Sequence, residues 1–357
     1  MSRFLSERYA SLAPYVPGEQ PRDKKYIKLN TNESPYPPSP EVIAAVGREE
    51  MADLRLYSDP DCKVLKEKLA AHYDVKPENV YLSNGSDDIL SFAFMAYCAD
   101  GRKAAFPAIS YGFYKVFAEL YHTDAMMIPL KDDFSIDYRD YCGLDRTVIL
   151  ANPNAPTGLT LSVSEIEAIV KSNPNHVVVI DEAYVDFGAE TCLPLIHRYD
   201  NLLIVRTYSK SRAMAGARLG FALASEGLID DLNRLKFSTN PYNVNRLTLI
   251  AGAAAIDSDA YFMNNCKRIV TTREKTAKAL TAIGFTAIPS KANFLFAKHE
   301  RLDGETIYRQ LKERGILVRH FSDPRICNYN RITIGSEEEM EALVQALTNI
   351  IKEGVTP

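Results

Sequence analysis

The sequence predicts an α/β protein. A large domain carries a mostly parallel central sheet flanked by helices, a smaller α+β domain follows it, and an extended N-terminal arm precedes it. Three observations carry this reading. Short apolar or β-branched runs recur from residue 80 to 224, with amphipathic stretches between them, the pattern of strands buried on both faces. The segment TNESPYPPSP (31–40) has four prolines in ten residues and excludes a regular element. The 357 residues exceed what one compact core usually covers. The expected divisions are an arm over 1–40, a large domain over 41–265 and a small domain over 266–357.

The elements follow in order. One helix is expected from Pro40–Glu41 and another over Cys62–Tyr73, on the apolar positions Val64, Leu65 and Leu69. VYLS (80–83) is a strand that leads through NGSDD into an apolar helix. KAAF (103–106), AMMI (125–128), TVILA (147–151), HVVVID (176–181) and NLLIVRT (201–207) are further strands, and a helix starts near Tyr111. RLGFALA (218–224) comes too soon after its predecessor for a helical crossover, so it is expected antiparallel. Helical patterns run from 242 to about Ile283. GFTAIP, NFLFAK, GILVR and NRITIG are short strands around a helix at 305–314, and a last helix covers Glu337–Lys352.

Composition narrows the class. The formal charge is -4 and no basic block occurs, so nothing favours nucleic acid or a membrane surface as a partner. No apolar run is long enough to span a bilayer. The six cysteines are scattered, no His/Cys cluster has metal-ligand spacing, and the start is charged and broken by proline. A cytoplasmic, metal-free protein with reduced thiols is expected.

Polar residues gather where the expected strands end, the edge at which open α/β sheets bind ligands. Lys210 follows LLIVRTYS and stands among Thr207, Ser209, Ser211, Arg212 and Arg218. Neighbouring cations and a partly dry cleft lower an amine's pKa and make it a nucleophile toward carbonyls. Asp181 ends VVVID, where a buried carboxylate needs a partner. ANPNAPTG (151–158) is a rigid turn carrying Asn152 and Asn154. SNGSDD (83–88) opens a helix and aims Gly85, Ser86 and Asp87 N–H groups at an anion. Each string alone is ordinary: a loop lysine, a helix cap, a turn. Their order along one chain is not.

That ordered set resembles the fold-type I pyridoxal 5′-phosphate (PLP) enzymes of the aspartate aminotransferase superfamily, and within it the histidinol-phosphate aminotransferases. The likeness runs nearly end to end, through LAPYVPG, KLNTNESPYPPSP, LYSDP, SNGSDDIL, ISYGFY, ANPNAPTG, VIDEAYVDF, RTYSKSRAMAGARLGF and NRITIGSEEE. It implies that Lys210 holds PLP as a Schiff base and shuttles the proton, that Asp181 pairs with the pyridine nitrogen and that Tyr184 bonds the phenolic oxygen. Tyr111 would stack on the ring. Gly85, Ser86, Asp87, Thr207, Ser209 and Arg218 would take the phosphate, with Tyr57 reaching it from the partner of a homodimer. Arg331 would grip the substrate's carboxylate. Arg319, Tyr15 and Asn32 would read its distal end, and Glu33 would lie near its amine or ring. The implied reaction moves the amino group of L-histidinol phosphate to 2-oxoglutarate. Threonine-phosphate decarboxylation and aromatic transamination on the same scaffold stay open. One departure stands out: Ala155 occupies the position where the family has an Asn before Pro-Thr-Gly, so Asn154 is the nearest substitute donor to the ring oxygen. Tyr114 is a second candidate for the stacking aromatic.

Overall fold

Alternate residues of each central strand enter different cores, which is how the sheet comes to be buried on both faces. The computed structural model describes residues 4–6, 9 and 12–353. Its main sheet has the order Val80–Ser83, Gly220–Ala224, Leu202–Thr207, Val178–Asp181, Thr147–Ala151, Lys103–Pro107, Asp124–Ile128. Val148, Leu150, Val178, Ile180, Leu202 and Ile204 pack on one side, and Ile149, Ala151, Val179, Leu203 and Val205 on the other. Gly220–Ala224 runs antiparallel to both neighbours, and the remaining pairs are parallel.

A second sheet is antiparallel throughout, in the order Arg319–His320, Asn330–Thr333, Phe294–His299, Phe285–Ile288. The helices Gly304–Glu313 and Glu337–Glu353 contribute to its core through Ile307, Leu311, Leu343 and Leu347. The arm joins this region: Ile27–Lys28 pairs in parallel with Ile316–Leu317. The boundary expected at 265 falls inside one continuous helix, Asp259–Ala282. Phe262 of that helix packs in a core of the main sheet, whereas Cys266, Ile269 and Leu280 pack with the second sheet.

A helix the sequence pattern did not signal, Glu226–Thr239, covers part of the main sheet. Its buried stripe includes Lys236, 3% exposed, whose ammonium donates to the Pro60 carbonyl at 2.6 Å. A lysine in the stripe breaks the apolar period that marks such a helix. Among the described residues, no helix is long and apolar enough to cross a membrane.

Beside Asp181 the chain buries an ion pair. Arg206 Nε and Nη2 donate to Glu182 Oε2 at 3.0 and 2.8 Å, and Glu182 Oε1 accepts from the Cys192 N–H at 2.7 Å. Removing Glu182 leaves the buried Arg206 with the more distant Asp186, 3.8 Å away, and without its close partner. Glu182→Ala is therefore expected to lower unfolding stability by about 3–5 kcal/mol in urea titrations. A loss under about 1 kcal/mol would show that the pair is solvated.

Candidate active site

Register builds the site. Ser83, Gly220 and Thr207 lie abreast on three adjacent strands, and Asp181 is abreast of Ala151 and Val205. The loops that leave these strands must therefore converge at one sheet edge. They enclose a cavity of about 370 Å³ lined in part by Ser86, Asp87, Tyr111, Asp181, Tyr184 and Lys210. Thr207, Ser209 and Arg218 line it as well.

One end of the cavity is a collar for an anion. Gly85 has φ +89° and precedes the helix Ser86–Tyr97, whose first N–H groups have no intrahelical partners. A Cβ on Gly220 would stand 2.5 Å from the backbone of Gly85 and Ser86, so only glycine lets the strand approach this loop. Arg218 Nη2 donates to Asp87 Oδ2 at 3.1 Å, and the Tyr111 hydroxyl donates to Asp87 Oδ1 at 2.6 Å. The hydroxyls of Thr207 and Ser209 bond each other at 3.0 Å.

The other groups are an acid and a base that do not neutralise each other. Asp181 is 5% exposed, and among the described residues its carboxylate oxygens accept from the Tyr114 hydroxyl at 3.0 Å and the Ala183 N–H at 3.1 Å, with no cation beside them. Burial pushes its pKa up to about 6 against these two donors. The Lys210 ammonium donates to the Thr31 carbonyl at 3.1 Å and is in no ion pair among the described residues. Burial, then the charge of Arg331, brings its pKa down to about 8. Arg331 itself donates to the Asn30 carbonyl at 3.1 Å, its Nε has no partner, and burial lowers its pKa. A carboxyl without a cation, a poised amine and a guanidinium without an acid call for a ligand that is both charged and electrophilic.

Comparison with known proteins agrees. A family model described as aminotransferase class I and II matches residues 24–347. The chain belongs to the class I and II aminotransferases. A histidinol-phosphate aminotransferase of Marinomonas sp. is 54% identical over 98% of this aminotransferase and 100% of its own length. The enzyme of that name from Brachyspira hyodysenteriae is 49% identical over 99% and 100%. The crystal structure of a histidinol-phosphate aminotransferase from Sinorhizobium meliloti in complex with pyridoxal-5′-phosphate superimposes with a TM-score of 0.89 at 24% identity, covering 99% of each chain. That last likeness speaks to the fold.

In this aminotransferase the sequence candidates separate into three groups. Gly85, Ser86, Asp87, Tyr111, Asp181, Tyr184, Thr207, Ser209, Lys210 and Arg218 meet at the cavity or its collar. Tyr15, Arg319 and Arg331 stand beside it: Tyr15 stacks on Phe113 at 4.2 Å, and Arg319 donates to the carbonyls of Val16 and Pro17, fixing the arm. Asn154, Asn32 and Tyr57 lie elsewhere. Asn154 is engaged in its own turn: its amide donates to the Ile109 carbonyl and the Thr157 hydroxyl and accepts from Ser110. Asn152 is likewise tied to Leu161, and the cavity wall there is Ala155. Asn32 faces Tyr184, its amide 2.9 Å from that hydroxyl. Tyr57 is 79% exposed and stacks on Tyr242 at 4.6 Å. Of the two rival aromatics, Tyr111 lines the cavity. Tyr114 lies fully buried with its hydroxyl on Asp181, a role for which the sequence has no signal beyond the three-residue spacing. Glu33 lines the cavity and is held by Lys28 and Thr31.

Two outcomes follow from this geometry. Gly220→Ala is expected to weaken PLP binding tenfold or more and to cost about 1–3 kcal/mol of stability, read by absorbance titration and urea unfolding; unchanged affinity would show that the loop yields. An amine captures an aldehyde in its neutral form, and the lowered pKa of Lys210 means that this form is reached at a lower pH than for a free lysine, near 10.4. The rate at which the apoprotein captures PLP is expected to rise through an inflection near pH 8. An inflection above pH 10 would contradict the burial argument.

Proposed function

We infer that this aminotransferase uses PLP to move the amino group of L-histidinol phosphate to 2-oxoglutarate, giving imidazole-acetol phosphate and L-glutamate. One observation carries the reading: a buried carboxyl lacking a cation and a poised amine lacking an acid line the same cavity, beside a collar of N–H, hydroxyl and guanidinium donors. The names of the full-length relatives supply the substrate.

The residues fit the cofactor. Asp181 would face the protonated ring nitrogen, which supplies the missing cation. Lys210 would bond the aldehyde carbon. The first N–H groups of Ser86–Tyr97, the hydroxyls of Thr207 and Ser209, and Arg218 would hold the phosphate. Tyr111 would cover the ring, and Tyr184 would donate to its phenolic oxygen. When bound, PLP supplies an electron sink for the pair left at the substrate's Cα. Lys210 would hold and move the proton at the substrate's Cα, and an amine with pKa near 8 is matched to that exchange.

Arg331 would serve both half-reactions. A guanidinium with a free Nε binds the α-carboxylate of glutamate and the phosphate of histidinol phosphate by the same planar fork. Arg319 and Tyr15 form the distal wall with the arm they hold. Tyr57, exposed and apart from its own cavity, would reach the phosphate collar of a second copy in a homodimer. The expected setting is the cytoplasm.

Steady turnover is expected when histidinol phosphate and 2-oxoglutarate are mixed with the enzyme, with phenylalanine at least a hundredfold slower and no CO₂ from O-phospho-L-threonine. Release of CO₂ without glutamate formation would replace the transamination reading with a decarboxylase. Lys210→Ala is expected to keep its fold by circular dichroism and to lose about 10³-fold or more in turnover. Retained turnover would move the base elsewhere.

A further inference from the structure

Asn32 is 1% exposed and has φ +57°, a left-handed conformation that asparagine tolerates better than most residues. Four contacts hold it there. Its backbone N–H donates to Thr333 Oγ1 at 3.0 Å, and its carbonyl accepts from Asn293 Nδ2 at 3.0 Å. Thr333 Oγ1 then donates its own hydrogen to Asn32 Oδ1 at 3.0 Å. That bond orients the amide, so Nδ2 faces Tyr184 and donates to its hydroxyl oxygen at 2.9 Å. The residue thus ties the arm to Asn293 and Thr333 of the second-sheet region, and both to a side chain of the cavity.

The consequence lies in the direction of one hydrogen. A phenol oxygen that accepts from an amide keeps its own hydrogen for another acceptor. The Tyr184 ring is fixed edge-on against Phe294, centroids 5.2 Å apart and planes at 88°, and Tyr184 lines the cavity. We propose that Asn32 is a positioning residue rather than a substrate contact: its amide commits the Tyr184 hydroxyl to donate into the cavity, so that the arm sets the strength of the Tyr184 contact. This rests on the reading that Tyr184 bonds the cofactor's phenolic oxygen. It also explains how the chain manages with Ala155 and with Asn154 spent on its own turn, since one oriented donor does the work otherwise shared with an asparagine.

The test needs no substrate. A donor to the phenolic oxygen favours its deprotonated form, so losing that donor makes the bound cofactor hold its titrating proton more tightly. The visible absorbance of the holoenzyme is titrated from pH 5 to 10 for the parent, Asn32→Gly, Tyr184→Phe and the double variant; glycine accepts the positive φ without strain. The expected result is a midpoint raised by about half a unit or more in Asn32→Gly, a threefold or greater change in proton affinity. Tyr184→Phe should raise it further, and adding Asn32→Gly to Tyr184→Phe should change nothing more, because the asparagine acts through the phenol. An unmoved midpoint in Asn32→Gly would overturn the proposal. Full additivity in the double variant would overturn it too. Should Asn32→Gly fail to fold, the isosteric Asn32→Asp carries the same test, with a raised midpoint expected and an unmoved one decisive against. Because the titration uses no amino-acid substrate, its result stands whether or not histidinol phosphate is turned over.

Discussion

A buried carboxyl with only neutral donors for partners is the constraint around which this protein is arranged. Asp181 ends a strand in the middle of the main sheet, where burial leaves it 5% exposed, and Tyr114 and Ala183 offer hydrogen bonds but no charge. Such a group is held up to about 6 and is costly when ionised. In the proposed reading a cationic ring nitrogen would reverse that balance by favouring the ionised form, and the pair would keep the ring electron-poor. The next residue, Glu182, is also buried, yet it has Arg206 for a partner. Two adjacent acids thus have opposite fates, one structural and one chemical, decided by whether an arginine is within reach.

The rest of the site follows from strand register. Placing Ser83, Gly220 and Thr207 abreast forces the Gly85–Asp87 loop and the Lys210 loop together, and the missing side chain at Gly220 sets how closely they meet. The same loop carries the amine into a pocket shared with Arg331's field, which lowers its proton affinity. Geometry made by backbone pairing therefore becomes acid–base chemistry through desolvation and like charge. The second sheet adds Arg319 and Arg331, and Asn32 of the arm joins it to Tyr184.

Much of this was legible in the sequence. The apolar strands, the antiparallel Gly220–Ala224 and the convergence of Asp181, Lys210 and the SNGSDD loop on one sheet edge follow from periodicity and from the rule that ligands bind where strands end. What stayed hidden depends on side-chain partners far apart in the chain. Nothing around Tyr114 points to Asp181, 67 residues away, and nothing in KLNTNES points Asn32 at Tyr184, 152 residues away. Asn154 looked like a ligand donor because the turn's own carbonyl and hydroxyl partners are invisible in one dimension. Glu226–Thr239 escaped because its buried stripe contains a lysine, and the domain division was softened by a single helix, Asp259–Ala282, that enters both cores.

All of these parts assume one covalent partner for Lys210. The most direct measurement is borohydride reduction of the PLP-loaded protein, followed by proteolysis and mass mapping of the pyridoxyl group. A single modified peptide containing Thr207–Arg212, with the mass added at Lys210, is expected. Modification of a different lysine, or a reduced protein carrying no pyridoxyl group, would contradict it.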